Sequence, residues 1–348
     1  MVELYGRSWT RRELLARVGR LEQIGGIRQF ACTDGAERGV ELIQVRTGAG
    51  LSYTVSPTKG LDLSLAEFGG MPFSWQAAGG DVHPQYYEAQ GTGWLRTASG
   101  GLLMTCGLMH AGWPAEHSGH AHGLHGRVHH TPARQVIAEG KWDGDDYEMK
   151  VSGIVDETAL FGGHLRMHRE ITSRLGENTI KLTDTVENAG FEPSTHMMMY
   201  HFNFGFPLLT EDAEIVMPPG TVKPREPETP LAGYDRWQAP DPSYRERVYF
   251  HRPEAQEGEW VSAYVRQPRF PQADGQHRPL RMTLSWNTAA LPQLVQWKMP
   301  GAGAHVLGIE PANCGMDGAP PDEAAAGRVV LQPGETVRYE LELKISPE

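Results

Sequence analysis

The densest group of side chains able to do chemistry lies in residues 117–130, whose sequence is HSGHAHGLHGRVHH. Six of the chain's fifteen histidines fall in this segment, namely His117, His120, His122, His125, His129 and His130. Imidazole is the side chain most readily used as a metal ligand, proton donor or proton acceptor near neutral pH. The segment therefore indicates either a metal site or a set of histidines of which only some face a functional site.

A metal site is the more specific of these two interpretations. His120 and His122 would share one face of a strand, and His117 or His125 could join them. However, no carboxylate or thiolate stands at a recognised zinc spacing, and the sequence contains no HExxH motif. We therefore predict no bound metal or other cofactor, and expect His117, His120 and His122 to be exposed or packing residues in a glycine-containing loop.

A second candidate segment is YHFNFG, residues 200–205. Residues i and i+2 of a strand lie on the same face, so His201 and Asn203 are expected to point the same way. A hydrogen-bonded core histidine and a turn or bulge asparagine are the alternatives for these two positions.

Two further segments carry charged side chains. Glu310 follows an apolar run in GIEPANC, residues 308–314, with Asn313 close behind it, and Lys59 and Asp62 open an apolar alternation in KGLD. Each has a structural alternative. Glu310 could be a solvated strand residue, Asn313 a turn or bulge residue, and Lys59 and Asp62 an ordinary turn ion pair.

Composition restricts the partners and the compartment. The 348 residues carry a formal net charge of −11, which argues against nucleic acid and anionic membrane because both need clustered Lys and Arg. The three cysteines have no zinc spacing, and no apolar run is long enough for a signal peptide core or a membrane span. We expect a cytoplasmic protein with reduced cysteines.

The elements that must position these residues are mostly strands. Apolar residues alternate with polar ones in several segments, which is the pattern of strands with one buried face. Examples are Leu51–Val55, Leu61–Leu65, Tyr147–Val151, Ile180–Leu182, Met282–Trp286 and Val337–Ile345. Turn residues separate these runs, at 33–35, 48–50, 142–145, 176–178 and 333–335.

One helix is predicted near the start. Thr10 is a suitable N-cap with Glu13 as its capping-box partner, and Gly19 is a natural stop. With 41 glycines, 25 prolines and no βαβ alternation, the rest of the chain indicates an all-β, mainly antiparallel fold of stacked sheets. We predict a helical extension over residues 1–25 and a single β-sandwich domain over 26–348, with 218–256 as a long surface excursion.

Several motifs together resemble a known family. They occur in the order GLLMTCGLMHAG (101–112), GLHGRVHHTPA (123–133), YHFNFGFPLL (200–209), QWKM (296–299), LGIEPANC (307–314) and LQPGETVRYEL (331–341). This order is similar to that of an uncharacterised aldose 1-epimerase-like family within the galactose mutarotase-like superfamily. The resemblance covers almost the whole chain and implies a large antiparallel β-supersandwich with an open sugar-binding groove.

The resemblance also implies a reaction. In galactose mutarotases, a histidine protonates the ring oxygen and a glutamate removes the proton of the anomeric hydroxyl, without a metal or organic cofactor. The matching positions are His201 as the acid and Glu310 as the base. The ring opens, rotates about the C1–C2 bond and closes on its other face.

Further positions match the family's substrate contacts. His125 and Arg127 lie in a His-Gly-Arg segment, and Asp62 lies in an Arg-Gly-Leu-Asp motif in which Lys59 replaces the arginine. A lysine offers a point charge where arginine offers a planar fork, so substrate preference is expected to differ. The remaining positions that we assign to substrate binding are His110, Asn203, Trp297 and Asn313.

The predicted function is thus anomer interconversion of a sugar by an acid–base pair. One alternative keeps the pocket but moves a carbon-bound proton, giving an isomerase, carbon epimerase or lyase that acts on a keto-sugar or sugar acid. Another is a non-catalytic sugar-binding module, because fold alone does not establish activity. The expected partner is a small-molecule carbohydrate, and the N-terminal helix and sheet edges make a homodimer a possible assembly.

Overall fold

The computed structural model describes residues 1–117, 120–256, 258–315 and 329–348. These residues contain one α-helix and strands β1 to β26, and short 3-10 helices lie at Leu21–Gln23, Gly35–Glu37, Pro84–Tyr86, Gly93–Arg96 and Val128–His130. The strands in chain order are β1 Val2–Leu4, β2 Arg7–Trp9, β3 Gly26–Ala31, β4 Glu41–Arg46, β5 Leu51–Ser56, β6 Asp62–Phe68, β7 Met71–Pro72, β8 Trp75–Gln76, β9 Gly100–Gly101, β10 Leu103–Leu108, β11 Ala115–His117, β12 His120–His122, β13 Arg134–Asp143, β14 Asp146–Thr158, β15 His164–Arg174, β16 Thr179–Asn188, β17 Ser194–Phe204, β18 Glu214–Val216, β19 Gly220–Pro224, β20 Arg247–Pro253, β21 Trp260–Pro271, β22 His277–Asn287, β23 Gln293–Met299, β24 Val306–Ala312, β25 Val329–Leu331 and β26 Thr336–Pro347.

Two large antiparallel sheets dominate the architecture. The larger sheet has the order β19-β20-β23-β24-β17-β10-β6-β5-β4-β3, with β7 paired to β6 and β25 paired to β17. The smaller sheet has the order β13-β14-β15-β16-β26-β22-β21-β18. The predicted all-β antiparallel supersandwich is confirmed, and each alternating segment named above lies largely within one of these strands.

The main core lies between the two sheets. It combines inward side chains of the larger sheet, such as Val55 and Leu63, with those of the smaller one, such as Met167 and Leu343. All four are at most 2% exposed. Alternation makes this possible, since every second side chain of a strand reaches the same face.

Strand β17 is buried on both faces, unlike the strands of the smaller sheet. Met198, Tyr200 and Phe202 belong to the main core. Met197 and Met199 belong to a second apolar cluster on the other face of the larger sheet. That outer face is the floor of the candidate site.

The predicted helix is present but short. It covers Arg11–Leu15, begins at the Thr10–Glu13 capping box as expected, and ends before Gly19. Leu14 is its one buried residue. No helix among the described residues has the length and apolar character that crossing a membrane requires.

The segment 218–256 differs from its prediction. We expected a surface excursion, but its two ends form β19 and β20, which extend the larger sheet beyond β23. Neither a short edge strand that ends in proline, as β19 does, nor its neighbour β20 shows a long run of alternating apolar residues. This correction matters because these two strands contribute to the site.

Candidate functional site

A cavity of about 220 Å³ opens on the outer face of the larger sheet. Its floor carries the two predicted catalytic side chains, and its walls are largely aromatic and aliphatic. Among the described residues its lining is Trp75, Ala77, Trp94, Leu95, Ala98, Met104, Gly112, Trp113, Leu124, His125, Met199, His201, Arg225, Glu246, Val248, Phe250, Val295, Trp297 and Glu310.

His201 and Glu310 are in direct contact on this floor. They come from the neighbouring antiparallel strands β17 and β24, whose register pairs Phe202 with Ile309. This register places His201 opposite Glu310 on one face. The distance from His201 Nε2 to Glu310 Oε1 is 3.2 Å, and both side chains are less than one-tenth exposed.

Burial favours the neutral form of each partner. It lowers the pKa of His201 to about 4, an effect that the neighbouring Asn203 opposes. It raises the pKa of Glu310 well above its usual range, an effect that Glu246 reinforces and Arg225 opposes. The two shifts together favour a protonated Glu310 beside a neutral His201.

Gly308 leaves the space that the Glu310 carboxylate occupies. A Cβ atom at position 308 would lie 2.3 Å from Glu310 Oε1 and 2.9 Å from the Cβ atom of Trp297. Both distances are shorter than ordinary van der Waals contacts, so the carboxylate would have to move.

We expect Gly308→Ala to reduce any activity that depends on the Glu310 carboxylate by at least about tenfold, because misplacing a reacting group by about 1 Å can cost about a hundredfold. Thermal unfolding and the activity proposed below would be measured together. The control is Gly19→Ala, whose added Cβ meets no atom within 4 Å. Equal activity of the two variants would show that the position of Glu310 does not limit the reaction.

His125 and two tryptophans form the wall beside the pair. The His125 ring lies 6.0 Å from that of His201 and 4.9 Å from that of Trp94. Its backbone has a positive φ of 57°, and its N–H donates to the carbonyl of Gly112. Trp297 lies edge-on to His201, with 5.5 Å between ring centroids. Burial lowers the pKa of His125 to about 3, so this wall is uncharged at neutral pH.

Two histidines of the predicted cluster act behind the wall. His129 and His130 are buried, and their Nε2 atoms lie 3.2 Å from Ser99 Oγ and 2.8 Å from Thr97 Oγ1. Thr97 and Ser99 follow directly on the 3-10 helix Gly93–Arg96, which contains Trp94. The role of His129 and His130 is therefore to position the wall, and they do not line the cavity.

Lys59 also binds Thr97, through the backbone carbonyl group of that residue. Its buried ammonium donates to the carbonyl oxygens of Thr97 at 2.7 Å and Val82 at 3.1 Å, outside the cavity lining. Burial lowers its pKa to about 8. Sequence analysis assigned Lys59 to substrate binding, whereas in this geometry its ammonium ties the backbone of Thr97 to that of Val82 and does not reach the cavity.

Asp62 lies in a buried ionic network between the two sheets. Its carboxylate accepts from Arg169 Nη1 at 2.7 Å and Thr105 Oγ1 at 2.5 Å, and contacts His129 Nδ1 at 2.6 Å. Arg169 also binds Asp184 through two nitrogens. Asp62, like Lys59, therefore supports the site from below and does not line the cavity.

The other predicted contacts are also placed behind or beside the lining. Asn203 donates to the carbonyl groups of His201 and Gly101, and Asn313 accepts from the backbone N–H of Met198. These bonds fix the backbone of β17. Neither asparagine belongs to the lining.

The last two predicted contacts flank the wall. His110 is buried, and its Nε2 lies 2.8 Å from the carbonyl oxygen of Trp113, whose ring lines the cavity. Arg127 is exposed and does not belong to the lining. His110 therefore reaches the site through Trp113.

Sequence analysis missed Arg225 and Glu246. Arg225 directly follows β19 and Glu246 directly precedes β20, so the two strands bring them together across 20 intervening residues. Arg225 Nη2 lies 3.1 Å from Glu246 Oε1, and Trp297 Nε1 donates to Glu246 Oε2 at 2.9 Å. The only available signal was the density of charged residues in the proline-rich excursion.

His120 and His122 of the opening segment do not belong to the cavity lining. His120 is exposed, and His122 is half-buried and stacked on His110. The side chain of His117 lies outside the described part of the chain. Within that part, no group of three or more His, Cys, Asp or Glu side chains is arranged to hold a metal ion.

Comparison with known proteins places the chain in a family. Residues 37–345 match the model of a family described as "Domain of unknown function (DUF4432)". No protein of curated function matches the chain.

Solved structures share the fold. A protein of Klebsiella pneumoniae, described provisionally as an aldose 1-epimerase, superposes with a TM-score of 0.80 at 26% identity, covering 92% of this chain and 83% of its own. A galactose mutarotase-like protein of Clostridium acetobutylicum has a TM-score of 0.62 at 13% identity, with 94% and 100% covered. A galactose 1-epimerase of Lactobacillus acidophilus has a TM-score of 0.58 at 13% identity, with 92% and 98% covered. The resemblance seen in the motifs is thereby confirmed: the chain belongs to the DUF4432 family, and its fold is that of the galactose mutarotase-like proteins.

Proposed function

We propose that this protein is a carbohydrate isomerase that interconverts the anomers of a free sugar by acid–base catalysis, as an aldose 1-epimerase does. The observation that carries the proposal is the contact of His201 with Glu310 on the floor of a cavity lined by four tryptophans. An imidazole and a carboxyl group side by side are the acid and the base that this reaction needs. The similarity to the Klebsiella protein supports the same reaction class.

The cavity suits a single sugar ring. Its volume of about 220 Å³ lies below the range of roughly 300–1,000 Å³ for pockets that hold drug-sized ligands. Trp75 and Trp297 stand edge-on to each other with 5.9 Å between centroids, and they offer aromatic faces for the apolar face of a pyranose.

The proton movements balance without a redox step. Glu310 takes the proton of the anomeric hydroxyl, the C1–O5 bond breaks as the carbonyl forms, and His201 gives its proton to the ring oxygen. Rotation about C1–C2 and the reverse transfers produce the other anomer. Because the unliganded pair carries its proton nearer Glu310, the proton first crosses the 3.2 Å contact to His201.

This assignment predicts a plateau in the pH profile. The active pair holds one proton, so activity falls on the acid side when His201 takes up a second, with an apparent pKa of about 4. It falls on the alkaline side when the pair loses its last proton, at the raised pKa of Glu310. Initial rates after subtraction of the uncatalysed rate would measure the profile, and a loss of activity centred near pH 6.5 would contradict it.

The deciding experiment is NMR spectroscopy of aldoses, uronates and keto-sugars in heavy water. Mutarotation speeds exchange between the two anomeric signals and leaves every C–H bond intact. Incorporation of deuterium at carbon would indicate the alternative isomerase, carbon epimerase or lyase. Saturable binding without either exchange would indicate a sugar-binding module.

A further inference from the structure

At the exposed end of the cavity, the positive charge of Arg225 is balanced by neighbouring carboxylates. Arg225 forms ion pairs with Glu246, at 3.1 Å, and with Glu226. Glu246 uses its second oxygen to accept from Trp297 Nε1 at 2.9 Å. The guanidinium also lies 5.7 Å from the ring centroid of Trp113. Two carboxylates and an aromatic face therefore already occupy Arg225.

Arg225 is the one lysine or arginine among the described residues of the lining. The opposing charge of Glu246 lies beside it, and Glu310 adds no positive charge in either protonation state. A carboxylate or phosphate on the substrate would thus have to displace Glu246 from Arg225 or remain unpaired near it. Like charges placed together in a recognition site are costly.

The rest of the described cavity wall offers no other lysine or arginine that could pair with an anionic group of the substrate. Met104, Met199, Val248, Phe250 and Val295 surround the inner part of the cavity with apolar atoms. An ionised group turned toward them would lose its hydration without gaining a partner, which is unfavourable.

We propose that the site selects an uncharged sugar, and that Glu246 is the residue that excludes anionic ones by neutralising Arg225. This inference rests on the proposed function and names its substrate class. Glu246 also fixes the Trp297 ring through the indole N–H, so the same carboxylate orients the aromatic face against which the sugar packs.

The test compares aldoses with uronates that differ only at C6, such as galactose with galacturonate and glucose with glucuronate. The quantity is the ratio of kcat/KM for anomer exchange, measured by NMR. The wild-type protein is expected to favour the uncharged partner by at least about tenfold. Glu246→Gln keeps an acceptor for Trp297 but removes the one of the two carboxylates paired with Arg225 that lines the cavity. It is expected to shift the ratio toward the uronate by about tenfold or more.

Two further variants make the result specific. Glu254→Gln removes the same charge at an exposed position just beyond β20 and should leave the ratio unchanged. Adding Arg225→Gln to Glu246→Gln should abolish the gain on uronates. A wild-type preference for uronates, or an unchanged ratio in Glu246→Gln, would overturn the inference while leaving the proposed function intact. Absence of exchange with every sugar would instead refute the proposed function.

Discussion

Replacing Glu310 with glutamine is expected to lower enzymatic anomer exchange by about 10²–10⁴-fold, the usual contribution of one positioned acid or base. Glutamine keeps the shape of the side chain but cannot accept the proton of the anomeric hydroxyl. His201→Gln should cause a loss of similar size, because the ring oxygen then lacks its proton donor. The measurement is NMR exchange spectroscopy with the preferred sugar, corrected for the uncatalysed rate.

The double variant adds a sharper criterion. If the two side chains act as one proton-sharing unit, the double variant should be little slower than either single one, because such effects are strongly non-additive. Two separate exposed residues, Glu67 and His277, provide matched controls: Glu67→Gln and His277→Gln are expected to keep wild-type rates. Full activity in Glu310→Gln would remove Glu310 from the reaction.

Replacing Arg169 with methionine is expected to destabilise the protein by about 3–5 kcal/mol, the cost of removing one partner of a buried ion pair. The Arg169 guanidinium is fully buried between Asp62 and Asp184, which would remain as two buried carboxylates without their cation. Urea unfolding measures the loss. The exposed ion pair of Arg278 with Asp274 is the control, and Arg278→Met should cost only about 0–1 kcal/mol.

The pH dependence of this loss has a definite sign. Burial pushes the pKa of Asp62 upward, but the hydrogen bond from His129 and the charge of Arg169 more than offset it, so the pKa lies below its usual value. The wild-type stabilisation is therefore present above the unfolded pKa of aspartate and is lost as pH falls through the folded one. Without Arg169 the buried Asp62 carboxylate tends to take up a proton on folding, so the difference between wild type and variant should shrink from pH 7 to pH 4. A constant difference would show that packing, not charge, dominates.

Local patterns predicted the strands, and motifs singled out His201 and Glu310, which the structure places in contact. The alternation of β26 and the Thr10–Glu13 capping box depend on neighbours in the sequence, so both could be read directly. His201 and Glu310 were identified through motifs, and their contact follows from the register of β17 with β24.

The chemical environment of the site could not be predicted in the same way. Lys59 and Asp62 were predicted to bind substrate, with a turn ion pair as the alternative, but their partners are Thr97, Arg169 and His129, which the folded sheets bring together. Arg225 and Glu246 meet only because β19 and β20 pair across the excursion. Such contacts depend on tertiary packing, which a single sequence encodes only indirectly.

The two buried faces of β17 separate two kinds of sequence change along one strand. Substitutions at Met198, Tyr200 or Phe202 would disturb the packing between the sheets and would lower the free energy of unfolding. Substitutions at Met197 or Met199 would reshape the apolar cluster around the cavity, one residue away along the chain. A library that varies only Met197 and Met199 would therefore change the shape of the candidate site while leaving the inter-sheet core intact.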